Sequence, residues 1–236
     1  MPRRLPIYLL IDTSGSMYGK PIQAVKNGVD KLVFTLRQNP YALEHPLALE
    51  TFWLSVITFS SSARQVTPLT ELVKFQLPPL EASGFYHTAL DKALSLVAQC
   101  ISREVREHTH WNKGDFAPLI FIMTNAHITN TDSFERSLTE FEQQKTKINT
   151  VFVCDTGKNS NIRILKKITE MRREWTFTFH FNLDTVDGCI FSGLHDLFCC
   201  TPQLHPDRDL GDTVNEDENR LPYLSPEYFP HNLGKF

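Results

Sequence analysis

The sequence predicts a three-layer α/β sandwich on a mostly parallel six-stranded sheet with one antiparallel edge strand. Three observations predict it. Short, continuously apolar runs alternate with longer stretches of helical periodicity, the pattern of strands buried on both faces and covered by helices. Two strand candidates, Phe52–Phe59 and residues 63–69, are separated only by Ser60-Ser61-Ser62, which reads as a hairpin and places one antiparallel strand at the edge. The first apolar run also stops at an acid followed by small hydroxyl residues. In an open α/β sheet, ligands bind at that carboxyl edge of the strands.

Taken in order, Leu5–Asp12 is the first strand, too apolar to alternate. A helix follows over 21–38. Ile22, Val25, Val29, Leu32, Val33 and Leu36 make its stripe, Pro21 suits its first turn, and Asn39-Pro40 ends it. After the hairpin, Leu77-Pro78-Pro79-Leu80 is a rigid extended loop leading to Ala82-Ser83-Gly84. The second helix begins near Thr88, with Leu90, Ala93, Leu94, Val97, Ala98 and Ile101 inward. Residues 118–124 form the fourth strand. Asp132 or Ser133 then caps a third helix running to about Lys147. Strand five spans 148–154, helix four 161–172, strand six 176–181 and a last helix 187–200.

From Thr201 the character changes. Prolines and charges lose helical spacing, and acids outnumber bases 7 to 3, so 201–236 is read as a Pro-rich acidic tail beside a single domain over 1–200. Tyr223, Tyr228, Phe229 and Phe236 would anchor the tail if it docks on a partner. A net charge of −3 carries no global field toward nucleic acid or an acidic membrane. No segment is long and apolar enough for a membrane span or a signal-peptide core. The five cysteines are odd in number and lack a CxxC pair, which reads as reduced thiols and a cytoplasmic location.

The chemistry concentrates in Asp12-Thr13-Ser14-Gly15-Ser16. Asp12, Ser14 and Ser16 all offer oxygen, the donor that hard cations such as Mg²⁺ require. Neighbouring motifs are matched only in part. A phosphotransferase aspartate needs a second acid where Ser14 stands. A phosphate-binding loop needs a hydroxyl where Pro21 stands. Ser14 lacks the flanking glycines of a hydrolase nucleophile. His108 with His110 has no companions to complete a zinc site, and Cys199-Cys200 beside His195 reads as a helix face. The basic residues Arg103, Arg106, Lys166, Lys167, Arg172 and Arg173 are spaced as solvated helix surface.

Asp12-Thr13-Ser14-Gly15-Ser16 resembles the DxSxS signature of von Willebrand factor A domains, whose fold is Rossmann-like. The resemblance extends to Thr88, in the loop before the second helix. It reaches Thr124-Asn125-Ala126 too, where the family usually has TDG. It implies a metal-ion-dependent adhesion site formed by Asp12, Ser14, Ser16, Thr88 and Asn125, taking Mg²⁺ and a carboxylate from a partner protein. Two departures bear on that site. Asn125 removes the distant acid, and Ser83-Gly84-Phe85-Tyr86-His87-Thr88 is a longer, bulkier loop than the family's Gly-Gly-Thr. Asp91 or Asp155 would be the acid available to compensate. The N-terminal half especially resembles the small bacterial TerY-like proteins of tellurite-resistance gene clusters. That likeness implies a non-enzymatic cytosolic adaptor in a kinase- or phosphatase-linked stress-response or defence module. The competing expectations are a metal-assisted phosphohydrolase using Asp12, or a structural subunit with a vestigial metal site.

Overall fold

The computed structural model describes residues 3–38, 52–84, 87–111, 113–126, 128, 130–143, 148, 150–155, 161–170 and 176–180. The expected last helix over 187–200, the boundary at 200 and the tail over 201–236 lie outside the described residues. Among the described residues six strands form one sheet: β1 (Leu5–Asp12), β2 (Phe52–Phe59), β3 (Ala63–Glu71), β4 (Leu119–Thr124), β5 (Thr150–Asp155) and β6 (Thr176–His180), in the order β3-β2-β1-β4-β5-β6. Every pairing is parallel except β2 with β3, the expected edge hairpin. The register of that hairpin shifts around Ser55, whose hydroxyl donates to the Thr67 carbonyl at 2.9 Å. The buried serine inside an otherwise apolar strand is thereby satisfied.

Among the described residues four helices cover the sheet: α1 (Lys20–Gln38), α2 (Leu90–Glu104), α3 (Thr131–Gln143) and α4 (Ile162–Glu170). Strand side chains alternate between the two faces. Leu5, Ile7, Leu9 and Ile11 of β1 pack with Val25, Val29, Leu32 and Leu36 of α1. Tyr8 and Leu10 of the same strand pack with Leu90, Leu94, Val97 and Ile101 of α2, in a cluster that also takes Phe134 and Phe141 of α3 and Leu165 of α4. All eight residues of β1 are buried. This explains why the run could not alternate in polarity: both faces are core. β1 has neighbours on both sides, reached by α1 on one face and α2 on the other. The chain therefore reverses its winding direction beside β1, the place at whose carboxyl edge open α/β sheets bind ligands.

The differences from expectation lie at element ends. α2 begins at Leu90 and not at Thr88, because Thr88 pairs its backbone with Ile128 in an isolated parallel bridge. The cap of α3 is neither Asp132 nor Ser133. The Asn130 side-chain oxygen accepts the Ser133 N–H at 3.0 Å, and the helix starts at Thr131. β3 continues to Glu71, two residues beyond the expected end. Among the described residues no helix is long and apolar enough to cross a membrane. Cys100 and Cys154 are buried, and neither is in a disulfide among the described residues.

At the amino edge of the sheet, the Asp115 carboxylate joins the ends of two elements. Arg4, at the head of β1, donates from Nε to Asp115 Oδ1 at 2.9 Å and from Nη2 to the Glu104 carbonyl at 2.7 Å. The Arg106 N–H, just past α2, donates to Asp115 Oδ2 at 2.8 Å.

Candidate functional site

The opposite, carboxyl edge holds the oxygen-rich cluster. β1 runs to Asp12. The Thr13 N–H then continues the ladder to the Phe59 carbonyl at 2.7 Å, so the first loop leaves the sheet in a defined direction. A single 3₁₀ turn over Gly15–Met17 follows, closed by the Met17 N–H on the Ser14 carbonyl at 2.9 Å. Met17 is fully buried and anchors the turn, while Ser16 and Tyr18 face solvent.

Asp12 is completely buried, and both of its oxygens are used. Oδ1 accepts the Ser14 N–H at 2.8 Å, and Oδ2 accepts the Thr124 hydroxyl at 2.7 Å. The Ser14 and Ser16 hydroxyls lie 2.9 Å apart. The Asn125 side-chain N–H donates to Ser16 Oγ at 2.7 Å and ties the edge of β4 to the first loop. Four of the five expected residues, Asp12, Ser14, Ser16 and Asn125, thus form one hydrogen-bonded group.

The fifth, Thr88, reaches the same edge by its backbone. It pairs with Ile128, just past β4, and the next residue's N–H donates to the Ser60 carbonyl at 2.6 Å. Its hydroxyl is buried and, among the described residues, has no hydrogen-bond partner. Of the two acids expected to compensate for Asn125, Asp91 accepts the Ser133 hydroxyl of α3 and is held in that helix seam. The Asp155 side chain lies outside the described residues, as do Phe85 and Tyr86.

Thr124 is the site residue that motif reading left without a role. Its hydroxyl donates to Asp12 and accepts the Ala126 N–H at 2.9 Å, so it orients the buried acid from below. A hydroxyl as the last residue of an apolar strand was its only signal. Ala126 follows in the left-handed region, with φ of 55°. A β-carbon there costs roughly 1–2 kcal/mol. The turn is held nevertheless: the Asn125 carbonyl accepts the Asn161 N–H at 3.1 Å, and the Ala126 carbonyl accepts the Ile128 N–H at 2.9 Å.

The oxygens are of the type and spacing a hard cation takes, but those of Ser14 and Ser16 are already engaged with each other and with Asn125. Neutral hydroxyls at 2.9 Å match the edge of an octahedron with metal–oxygen bonds of about 2.0–2.1 Å. The unpartnered Thr88 hydroxyl is a further free oxygen. Ser14, Ser16 and Thr88 would hold the ion, with Asp12 acting through water. The charge is low for the task, since Asp12 is the only carboxylate of the five. Among the described residues no three His, Cys, Asp or Glu side chains gather into a metal cluster.

Comparison with known proteins agrees with this architecture. A model of the von Willebrand factor type A domain matches residues 7–187. Solved structures with a similar fold include a von Willebrand factor type A protein from Catenulispora acidiphila, 14% identical, with a TM-score of 0.55 over 78% of this chain and 40% of that one. The PilB minor pilin of Streptococcus sanguinis is 11% identical, with a TM-score of 0.60 over 84% and 62%. Proximal thread matrix protein 1 from the mussel byssus, with a zinc-occupied MIDAS motif, is 16% identical, with a TM-score of 0.54 over 84% and 48%. The chain spans less than two thirds of the length of each of these, and at such identities the likeness is one of fold. No curated protein sequence matches the chain.

Proposed function

The chain belongs to the von Willebrand factor type A domain family, and from that premise we propose that it is a non-enzymatic interaction module working through the carboxyl edge of its sheet. The observation that carries the reading is the preassembled group of Asp12, Ser14, Ser16 and Asn125, with a buried, unpartnered Thr88 hydroxyl at the same edge. A buried polar atom without a partner is costly, and such atoms persist where a ligand completes them. The partner is a protein that presents an Asp or Glu side chain. Mg²⁺, the cation the family resemblance implies, would have to displace a hydrogen bond of Ser16 to bridge that carboxylate, and the single site acid makes its affinity low. The likeness to TerY-like proteins supports a cytoplasmic adaptor role in a tellurite-resistance-like stress module that contains a kinase or phosphatase.

The same geometry disfavours a phosphohydrolase. A nucleophilic carboxylate needs a free oxygen facing substrate, whereas Asp12 is fully buried and accepts a hydrogen bond on each oxygen.

The test is capture of partners from the native host with wild type and with the Ser16→Ala, Thr88→Ala double variant. Partners held by wild type and lost by a folded double variant support the reading. Equal capture by both rules out the carboxyl edge as the contact surface.

A further inference from the structure

We propose that Asn125 reverses the electrical sense of the site: it donates where a carboxylate would accept, so the site takes a partner's carboxylate directly, by hydrogen-bond donation, without a bridging cation. This rests on the interaction reading of the same edge. The argument is one of proton placement. A serine hydroxyl has one proton and two lone pairs. One lone pair of Ser16 is taken by the Asn125 N–H at 2.7 Å. The contact at 2.9 Å with Ser14 needs one proton, from either side.

Ser14 is completely buried, and among the described residues its hydroxyl contacts only Ser16. If Ser16 supplied the proton, the Ser14 proton would be left buried and unused, at a cost. The satisfied arrangement has Ser14 donating. Both lone pairs of Ser16 are then occupied, and its own proton is left for solvent, where Ser16 is exposed. Two accepted bonds also strengthen it as a donor.

A cation needs a lone pair of Ser16 and must break one of these bonds to reach it. A carboxylate needs protons, and it finds that of the Ser16 hydroxyl at the surface, with the Thr88 hydroxyl buried at the same edge. The charge of Asp12 does not stand bare against it, because each oxygen already accepts a donor. An aspartate at 125 cannot donate an N–H. It would draw the Ser16 proton inward, release a lone pair outward and add a negative charge. All three changes favour a cation.

The experiment compares EDTA-treated wild type with Asn125→Asp by Mg²⁺ calorimetry and by amide NMR titration with acetate. Asn125→Asp is expected to gain at least about tenfold in Mg²⁺ affinity, as one added charge near a divalent ion implies. Acetate is expected to shift the Ser16 and Thr88 amides of wild type without metal, and those of Asn125→Asp only with Mg²⁺. Ser16→Ala, at an exposed position, keeps the fold and is expected to lose the metal-free acetate response. Equal Mg²⁺ affinity in the two proteins, or a wild-type acetate response that requires Mg²⁺, overturns the proposal while leaving the interaction reading intact. No acetate response in either protein, with or without Mg²⁺, overturns both.

Discussion

Thr88 keeps a buried hydroxyl that nothing else in the described structure uses. An unsatisfied buried hydroxyl costs about 1–3 kcal/mol, and replacing it by a methyl of the same shape removes that cost. Thr88→Val is therefore expected to raise the urea midpoint, by about 1 kcal/mol of stability, while weakening capture of the partner. A loss of stability would mean that the hydroxyl has a structural partner after all. The neighbouring residues show how far a motif can be read. Asp12, Ser14, Ser16 and Asn125 were recognisable from residue type and order, and they do meet. The role of Thr124 was not, because a strand-terminal hydroxyl looks the same whether it orients an acid or faces water. The fate of Asp91 was also out of reach. Its spacing from Thr88 suited a site acid, and packing of α2 on α3 gave it to Ser133.

At the scale of elements, β1, β2, β3 and α2 are joined by a part-buried polar network. The Tyr8 hydroxyl donates to Glu104 at 3.1 Å, and Gln65 donates to Glu104 at 3.0 Å and to Ser55 at 3.0 Å. Burial, and next the Glu104 charge, push the Tyr8 phenol well above its usual range, and the same two causes raise the Cys100 thiol. Both groups hold their protons more tightly when folded. Their contribution is complete below the unfolded values, about 8.5 for the thiol and 10 for the phenol, and is lost as pH rises beyond them. The urea midpoint is expected to fall above about pH 9. Tyr8→Phe should flatten the upper part of that fall and cost about 1 kcal/mol at neutral pH. An unchanged alkaline slope in the variant would remove Tyr8 as its source. The sequence placed Tyr8 on a buried strand, but its partner lies 96 residues away and follows only from the helix crossing.

For the whole molecule, the two edges of the sheet do different work. The carboxyl edge gathers loops that can meet a ligand. The amino edge is tied by Asp115 to Arg4 and to the end of α2. The Asp115 side chain is 1% exposed, and removing it would leave the largely buried Arg4 without its counter-charge. Asp115→Ala is expected to cost about 3–5 kcal/mol in urea unfolding. Because the two edges lie at opposite ends of the strands, the response to acetate should be unchanged in whatever fraction stays folded. A lost acetate response in the folded variant would show that the edges are coupled.

The sequence by itself determined the class of fold, the strands, the edge hairpin and the edge at which the site forms. These follow from local patterns: apolar runs of strand length, helical stripes, a serine turn and an acid at a strand end. Only the tertiary structure decided how the site is wired. Ser16 and Asn125 are 109 positions apart, and the direction of the bond between them depends on which group the packed loops leave able to donate. Residue types state what each side chain can offer. Donor and acceptor are assigned only when every neighbour of a buried hydroxyl is in place, and that assignment is what sets the sense of the site toward a cation or a carboxylate.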